Sequence, residues 1–381
     1  RHTYKAGNQN WGLQQHGNGW MYVANTNGLL EFDGAGWNLY PTIRNAKVRA
    51  MKIGDDGRIY IGGIGQFGYF TPNHLGGLDY TCLADSLPPN TSIGVVWNIL
   101  QDKNRIYFQS DRSLFCWENN RLEYLECPGE MYASSIVYNK FYIGAAEGLL
   151  VLDGEDFTLV PGSEMLGRVS SLLPYNGKVL IATRYNGLFT YDGESIKKYT
   201  CVADEFMKQN RVFCAALNHS LLAIGSVQDG VCLLDMEKNE MNVISINSGL
   251  QNKTVLSMAF DAQENLWLGL DNGIDHIHLN SRVSSLYGNK PVIGSGYVSC
   301  LYQDKLYLGT NQGLYCTVPP VDLNQTVPMD FIPGTGGQMW SLLQHDDKLF
   351  CASDNGIFIL DDGKVERLDG LRGARLLVSL S

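Results

Sequence analysis

One segment recurs nine times along this chain of 381 residues: a small polar turn, then Gly, then apolar-x-apolar, often closing on Asp-Gly. Asn27-Gly28-Leu29-Leu30-Glu31-Phe32-Asp33-Gly34 is the first copy, and Glu147-Gly148-Leu149-Leu150-Val151-Leu152-Asp153-Gly154 is among the clearest. The anchors fall at Gly28, Gly68, Ser113, Gly148, Gly187, Gly230, Gly273, Gly313 and Gly356, with Ser113 in a degenerate copy. Eight intervals span 328 residues, a mean of 41. A period of that length is one supersecondary unit that cannot bury its own faces and must stack on its neighbours.

Each unit reads as four short strands. Val255-Leu256-Ser257-Met258-Ala259-Phe260 is a first strand, A, followed by a polar turn. Leu266-Trp267-Leu268-Gly269 is a second, B, and Ile59-Tyr60-Ile61-Gly62, Phe141-Tyr142-Ile143-Gly144 and Leu306-Tyr307-Leu308-Gly309 match it. The Asn-Gly or Asp-Gly that follows in five copies predicts a primed hairpin turn between B and C. The anchored segment is strand C, and Asp-Gly turns it into strand D, as at Trp37-Asn38-Leu39-Tyr40. Helical repeats of this length need long stretches of 3.6 periodicity, and only residues 203–212 offer a weak one. The pattern therefore predicts an all-β fold, a β-propeller of four-stranded antiparallel blades. Nine copies exceed the usual four to eight blades. The less regular stretch 281–295 after the seventh copy predicts a junction. The expected domains are a seven-bladed propeller over 1–285 and the start of a second over 286–381, with two blades and one extra A strand at 374–380. The alternative is one larger ring.

Charged residues are sparse, and the formal net charge is −10 with Lys and Arg scattered, so no basic patch for a nucleic acid is expected in this region. The nine Cys lie mostly in apolar runs without regular spacing, which predicts small buried hydrophobes rather than a disulfide framework. No run approaches the 18 apolar residues of a membrane span. Arg1-His2-Thr3-Tyr4 is polar, so the chain is read either as cytosolic or as lacking a leader that precedes this numbering.

The run from Val255-Leu256-Ser257 through Asn265-Leu266-Trp267-Leu268-Gly269 to Asn272-Gly273-Ile274 resembles the two-component regulator propeller repeat. Gly65-Gln66-Phe67-Gly68-Tyr69-Phe70 and Lys305-Leu306-Tyr307-Leu308-Gly309-Thr310-Asn311-Gln312-Gly313-Leu314-Tyr315 are similar to the extracytoplasmic sensor regions of Bacteroidetes regulators. The resemblance covers nearly the whole chain. It implies a periplasmic, ligand-binding sensor region of a membrane-bound transcriptional regulator, responding to a glycan or its breakdown product. It further implies two seven-bladed propellers, a tyrosine-rich domain and a membrane span downstream, and a homodimer across the membrane. A propeller glycosidase or lyase and a protein-interaction scaffold are the alternative functions.

Chemistry is harder to place. Gly63-Ile64-Gly65-Gln66-Phe67-Gly68 matches a dinucleotide fingerprint, but a strand ended by Pro72 follows instead of a helix, so it reads as a hairpin turn. His276 and His278 share a strand face without a nameable third ligand, and the Asp-Gly pairs read as turns rather than calcium loops. No cofactor, metal or catalytic residue is expected. In a propeller the D–A and B–C loops lie on one face near the axis, which predicts a ring of side chains there. Arg44, Arg49, Trp97, Arg168 and Arg211 would come from the openings of A strands, and Asn27, Gln66, Arg184, Tyr185 and Asp229 from B–C turns. Of these, Arg49, Trp97, Arg168, Arg184, Tyr185 and Arg211 are the candidate ligand contacts, suited to an oligosaccharide or other small polar ligand. Trp97 packing between blades is the competing expectation.

Overall fold

The computed structural model describes residues 4–279, 294–319, 328–361, 363–368 and 370–378. The chain divides into two compact units, Arg1–Ile246 with Leu250–Asn280, and Ser281–Ser381 with Asn247–Gly249. The first holds seven antiparallel sheets, blades 1 to 7, at residues 10–40, 48–82, 98–126, 131–159, 169–199, 212–244 and 255–277. Strands A to D follow one another in chain order across each sheet, and blade 7 has three strands among the described residues. Every strand C opens at its anchor or one residue to either side of it, Ser113 included. The weak helical signal is a single helix, Asp204–Asn210.

The core lies between blades, not within them. Tyr22, Leu29, Ile59 and Phe70 join blades 1 and 2, and Val137, Leu149, Val169 and Ile181 join blades 4 and 5. The series closes where Tyr4, Met21, Val23 and Leu30 pack on Trp267 of blade 7. A glycine of strand B supplies a close approach to the next blade at Gly62, Gly144, Gly225 and Gly269. A methyl group at Gly225 of blade 6 would come within 2.6 Å of Met258 Cε in blade 7. One at Gly269 of blade 7 would come within 2.5 Å of Asn10 O in blade 1. Hydrogen bonds bridge the same seam: Asn10 Nδ2 donates to Gly273 O at 2.7 Å and Gln9 Nε2 to Asp271 Oδ1 at 2.8 Å. Blade 7 of the first unit thus closes against blade 1, which makes that unit a ring of seven.

The turns are distributed differently from expectation. In the B–C turns the two loop residues, such as Thr26-Asn27 between Asn25 and Gly28, keep negative φ, and Gly28 follows at +146°. The anchoring Gly opens strand C at Gly28, Gly148, Gly273 and Gly356, and lies just before it at Gly187, Gly230 and Gly313, rather than sitting at the centre of a two-residue primed turn. A hydroxyl at the end of strand B holds these turns instead: Thr183 Oγ1, Ser226 Oγ and Ser353 Oγ donate to the carbonyls of Gly187, Gly230 and Gly356 at 2.8–3.1 Å. Primed turns occur between A and B, at Tyr138-Asn139, Asn176-Gly177, Gln303-Asp304 and Asp346-Asp347, where both residues have positive φ. The Asp-Gly corners are side-chain turns: Asp192 Oδ1 accepts from Glu194 N and Ser195 N at 3.1 and 2.8 Å, which holds its carboxyl down at about 2.

The second unit contains two further blades, 8 at residues 296–331 and 9 at 339–367, joined by a cluster including Tyr307, Leu314, Met339 and Phe358. The predicted junction 281–295 lies outside the described residues except for Gly294 and Ser295. Residues 374–378 are not a strand. They nevertheless hold the place of an A strand beside blade 9. Ala374 N donates to Ser353 O at 2.9 Å, as Val96 N does to Gly63 O, and Leu377 N to Ser341 Oγ, as Ala215 N does to Ser171 Oγ. An A strand takes its ladder from the B strand of its own blade, and these residues have none among those described.

All nine cysteines are free and none is exposed. Gly63 to Gly68 is a B–C hairpin with no helix after it. His276 Nε2 lies 2.9 Å from Asp261 Oδ2, and the His276 and His278 rings are 4.4 Å apart. Among the described residues no helix is long and apolar enough to cross a membrane.

Ring closure through Gly269 has a direct test. Gly269→Ala should destabilise the chain by about 1–3 kcal/mol in urea denaturation, because backbone of blade 1 blocks the new methyl. Gly17→Ala, with nothing within 4 Å, should leave the midpoint unchanged.

Candidate functional site

Strand A begins with a buried residue that plugs into the preceding blade, and in most blades the next residue is extra to the ladder. The A–B register slips there between Asn10 and Gly12, Val48 and Ala50, Met131 and Ala133, Val169 and Ser171, Val212 and Cys214, and Val255 and Ser257. A bulge of this kind re-aims one side chain. The bulged residues are Trp11, Arg49, Tyr132, Ser170, Phe213 and Leu256, and all six line one cavity of about 500 Å³ bordered by all seven blades. In blade 3 the equivalent residue, Trp97, precedes the strand and donates its N–H to Gln109 O at 2.9 Å. It lines the same cavity. Val96, not Trp97, is the residue packed between blades, against Gly62.

The wall of this axial cavity is locked. Trp97 Nε1 donates to Asp111 Oδ1 at 2.8 Å, and Val95 N donates to Asp111 Oδ2 at 3.0 Å, so the carboxylate grips both the indole and its backbone. Trp11 meets Trp97 and Phe213 edge-on, with ring centroids 5.9 and 6.1 Å apart. The Arg49 guanidinium lies 3.7 Å from the Trp11 centroid and 6.0 Å from that of Trp97. Arg49 Nη1 donates to Gln9 Oε1 at 3.2 Å, while Arg49 Nε and Trp11 Nε1 are buried with no hydrogen-bond partner among the described residues. Burial pulls the Arg49 pKa below its ordinary value. Across the ring, Arg168 stacks on Tyr132 at 4.3 Å, and Arg184 joins it in lining the cavity. Glu130 is the second carboxylate there. The lining also includes small or apolar groups such as Ala133, Ser171, Leu172, Ala215 and Met258.

Arg49, Trp97, Arg168 and Arg184 are thus brought together, as the sequence predicts. Tyr185 and Arg211 are not among the lining residues. Tyr185 is exposed with its ring 5.9 Å from the Arg184 guanidinium. Arg211 caps the helix in a left-handed conformation and is exposed. Asn27 and Asp229 are exposed turn residues, and Gln66 is buried in a separate pocket of about 270 Å³ beside Ile43 and Cys82. The side chain of Arg44 lies outside the described residues. Trp11, Tyr132, Phe213 and Asp111 were not anticipated. The signal for the first three is positional: each is the second residue of strand A.

Known structures share the fold. The chain is similar to the extracellular domain of BT3049 from B. thetaiotaomicron, described as a hybrid two-component system, with a TM-score of 0.64 and 16% identity over 99% of this chain and 53% of that one. It is similar to the extracellular domain of BT4673 from the same organism, described as a one-component or hybrid two-component system, with a TM-score of 0.60 and 18% identity over 93% of this chain and 50% of that one. Virginiamycin B lyase from Staphylococcus aureus, with a TM-score of 0.57, is 13% identical over 71% of this chain and 94% of its own. At these identities the likeness is one of fold, and the chain spans about half the length of the two extracellular domains. No family model matches the chain, and no curated protein matches it in sequence.

The cavity thiol gives a pH-dependent check. Cys214 keeps some surface in the cavity, but desolvation pushes its pKa up to about 12, so it stays a neutral thiol below that pH. Thiolate is the reactive form. At pH 8.5, where a free cysteine is about half ionised, iodoacetamide should label Cys214 of the folded chain at least about a hundredfold more slowly than in urea. Peptide mass mapping reads the difference.

Proposed function

We propose that this chain is the ligand-binding propeller region of a periplasmic sensor belonging to a membrane-bound two-component or one-component regulator. Its ligand is a glycan or a glycan breakdown product held in the axial cavity. The observation that carries the reading is the aromatic wall of Trp11, Trp97 and Phe213, fixed by Asp111 and flanked by Arg49. The flat faces of such a wall suit the C–H faces of a sugar ring, and the arginines offer fixed donors to its hydroxyls or acids. A wall already locked loses little conformational entropy when ligand arrives. The likeness to extracellular domains of two-component systems supports the sensor role, and the location follows from that role.

The likeness to a propeller lyase keeps an enzyme as the competing reading. Asp111 argues against it. Both its oxygens are engaged in holding Trp97 and Val95, so it braces the wall rather than standing ready to move a proton. Sensing further requires that ligand favour one of two states of the whole receptor.

Thermal-shift screening of the chain against mono- and oligosaccharides should find a stabilising ligand, and calorimetry should give its affinity without turnover. Trp97→Ala should weaken that affinity about tenfold or more. An unchanged affinity would move the site away from the axis, and release of cleaved product would favour the enzyme.

A further inference from the structure

Blades 8 and 9 repeat the bulge that builds the axial wall. Their A–B registers slip between Gly296 and Val298 and between Met339 and Ser341, which places Tyr297 and Trp340 at the positions held by Arg49 and Trp97 in the first unit. The lock is repeated as well. Trp340 Nε1 donates to Asp354 Oδ1 at 2.7 Å across a spacing of 14 residues, the same spacing that separates Trp97 from Asp111. Both carboxylates follow a serine, Ser110 just past the strand B that ends at Gln109 and Ser353 as the last residue of its strand B. An arginine again flanks the indole. The Arg375 guanidinium lies 5.4 Å from the Trp340 centroid, against 6.0 Å for Arg49 and Trp97. The Tyr297 ring lies 5.2 Å from that of Trp340, tilted at 42°, and is about half exposed, at 47%.

We propose that Tyr297, Trp340, Asp354 and Arg375 form a second saccharide-binding site on the second unit. The inference rests on the saccharide reading of the axial cavity, because it assigns the same ligand chemistry to the same constellation. A sugar ring stacks on the exposed Tyr297 and the half-buried Trp340, and Arg375 donates to a hydroxyl or carboxylate at its edge. Asp354 positions the indole and does not itself need to touch the ligand. The structural role alone does not account for the arrangement. A buried packing residue at this position would be aliphatic, as Leu256 is, and would need no carboxylate to orient it.

Saturation-transfer NMR on the full chain tests the proposal at millimolar methyl β-galactoside, methyl β-glucoside, methyl α-mannoside and methyl galacturonide. Trp97→Ala and Trp340→Ala should each lower the transfer to the best of these by about half, and the double variant should abolish it. Circular dichroism checks folding. Asp354→Ala, which leaves the ring in place but frees it, should cut the residual transfer of the Trp97→Ala background. Loss of all transfer in Trp97→Ala alone, or full transfer in Trp340→Ala, would overturn the second site and leave the axial one standing. Absence of transfer from the unmodified chain to all four sugars would overturn both.

Discussion

Packing between neighbouring blades is the interaction on which the rest of this structure depends. Tyr60, Phe67, Val96, Phe108 and Phe115 make one cluster out of blades 2 and 3, and none of these side chains could be buried by its own sheet alone. A four-stranded sheet has two faces and no interior, so its apolar residues leave water only when another sheet arrives. Each blade therefore contributes to two cores at once. The last blade needs the first as much as any blade needs its neighbour, and Trp267 against Met21 and Leu30 supplies that contact.

The same constraint explains why the site residues come from bulges. Strand A must do two incompatible things at its first turn. It must drive Val48, Val169, Val212 or Val255 into the joint between blades, and it must offer a side chain to the axis. Strict alternation points successive residues to opposite faces of a sheet, and both faces here are claimed by neighbours. One extra residue breaks the alternation and frees a side chain from packing. Such a side chain can vary without loss of core. Its identity runs through Trp11, Arg49, Tyr132, Ser170, Phe213 and Leu256 while the residue before it stays buried.

This also marks how far the sequence could be read. Blade period, strand order and the place of every strand C were legible, because glycine at positive φ and apolar alternation are local signals. Arg49, Trp97, Arg168 and Arg184 were legible as a set, since loop position in a propeller places them near the axis. Tyr185 and Arg211 share that loop position yet miss the cavity, because the direction of a turn side chain is set by its own backbone. Arg211 shows the point: its left-handed φ of 57° ends a helix instead of continuing a strand. Trp11, Tyr132 and Phe213 were hidden within strand-like runs, where an aromatic residue ordinarily means core. A bulge leaves no mark in composition. The turns misled for a similar reason: Asn-Gly was read as the centre of a hairpin, whereas at Gly28, Gly273 and Gly356 the ladder places the glycine after it.

The electrostatics of the axial wall then bear on what can bind there. The chain as a whole is acidic, yet three guanidinium groups face two carboxylates in the cavity, and one of those carboxylates is occupied in bracing Trp97. Arg49 carries the sharpest tension. It is desolvated enough to depress its pKa, its Nε has no partner among the described residues, and Gln9 with the faces of Trp11 and Trp97 answers its charge. A buried donor left unpaired costs about 1–3 kcal/mol, more when it is charged. A ligand that brings an acceptor to this group relieves that cost at the moment of binding, while a purely apolar ligand of the same shape would leave it in place. On the proposed reading, this favours an oxygen-rich ligand, with the aromatic faces of Trp11, Trp97, Tyr132 and Phe213 beside the guanidinium groups. Arg49 is bonded to Gln9, and Gln9 to Asp271 of blade 7, so the group that would feel such a ligand is tied to the seam that closes the ring.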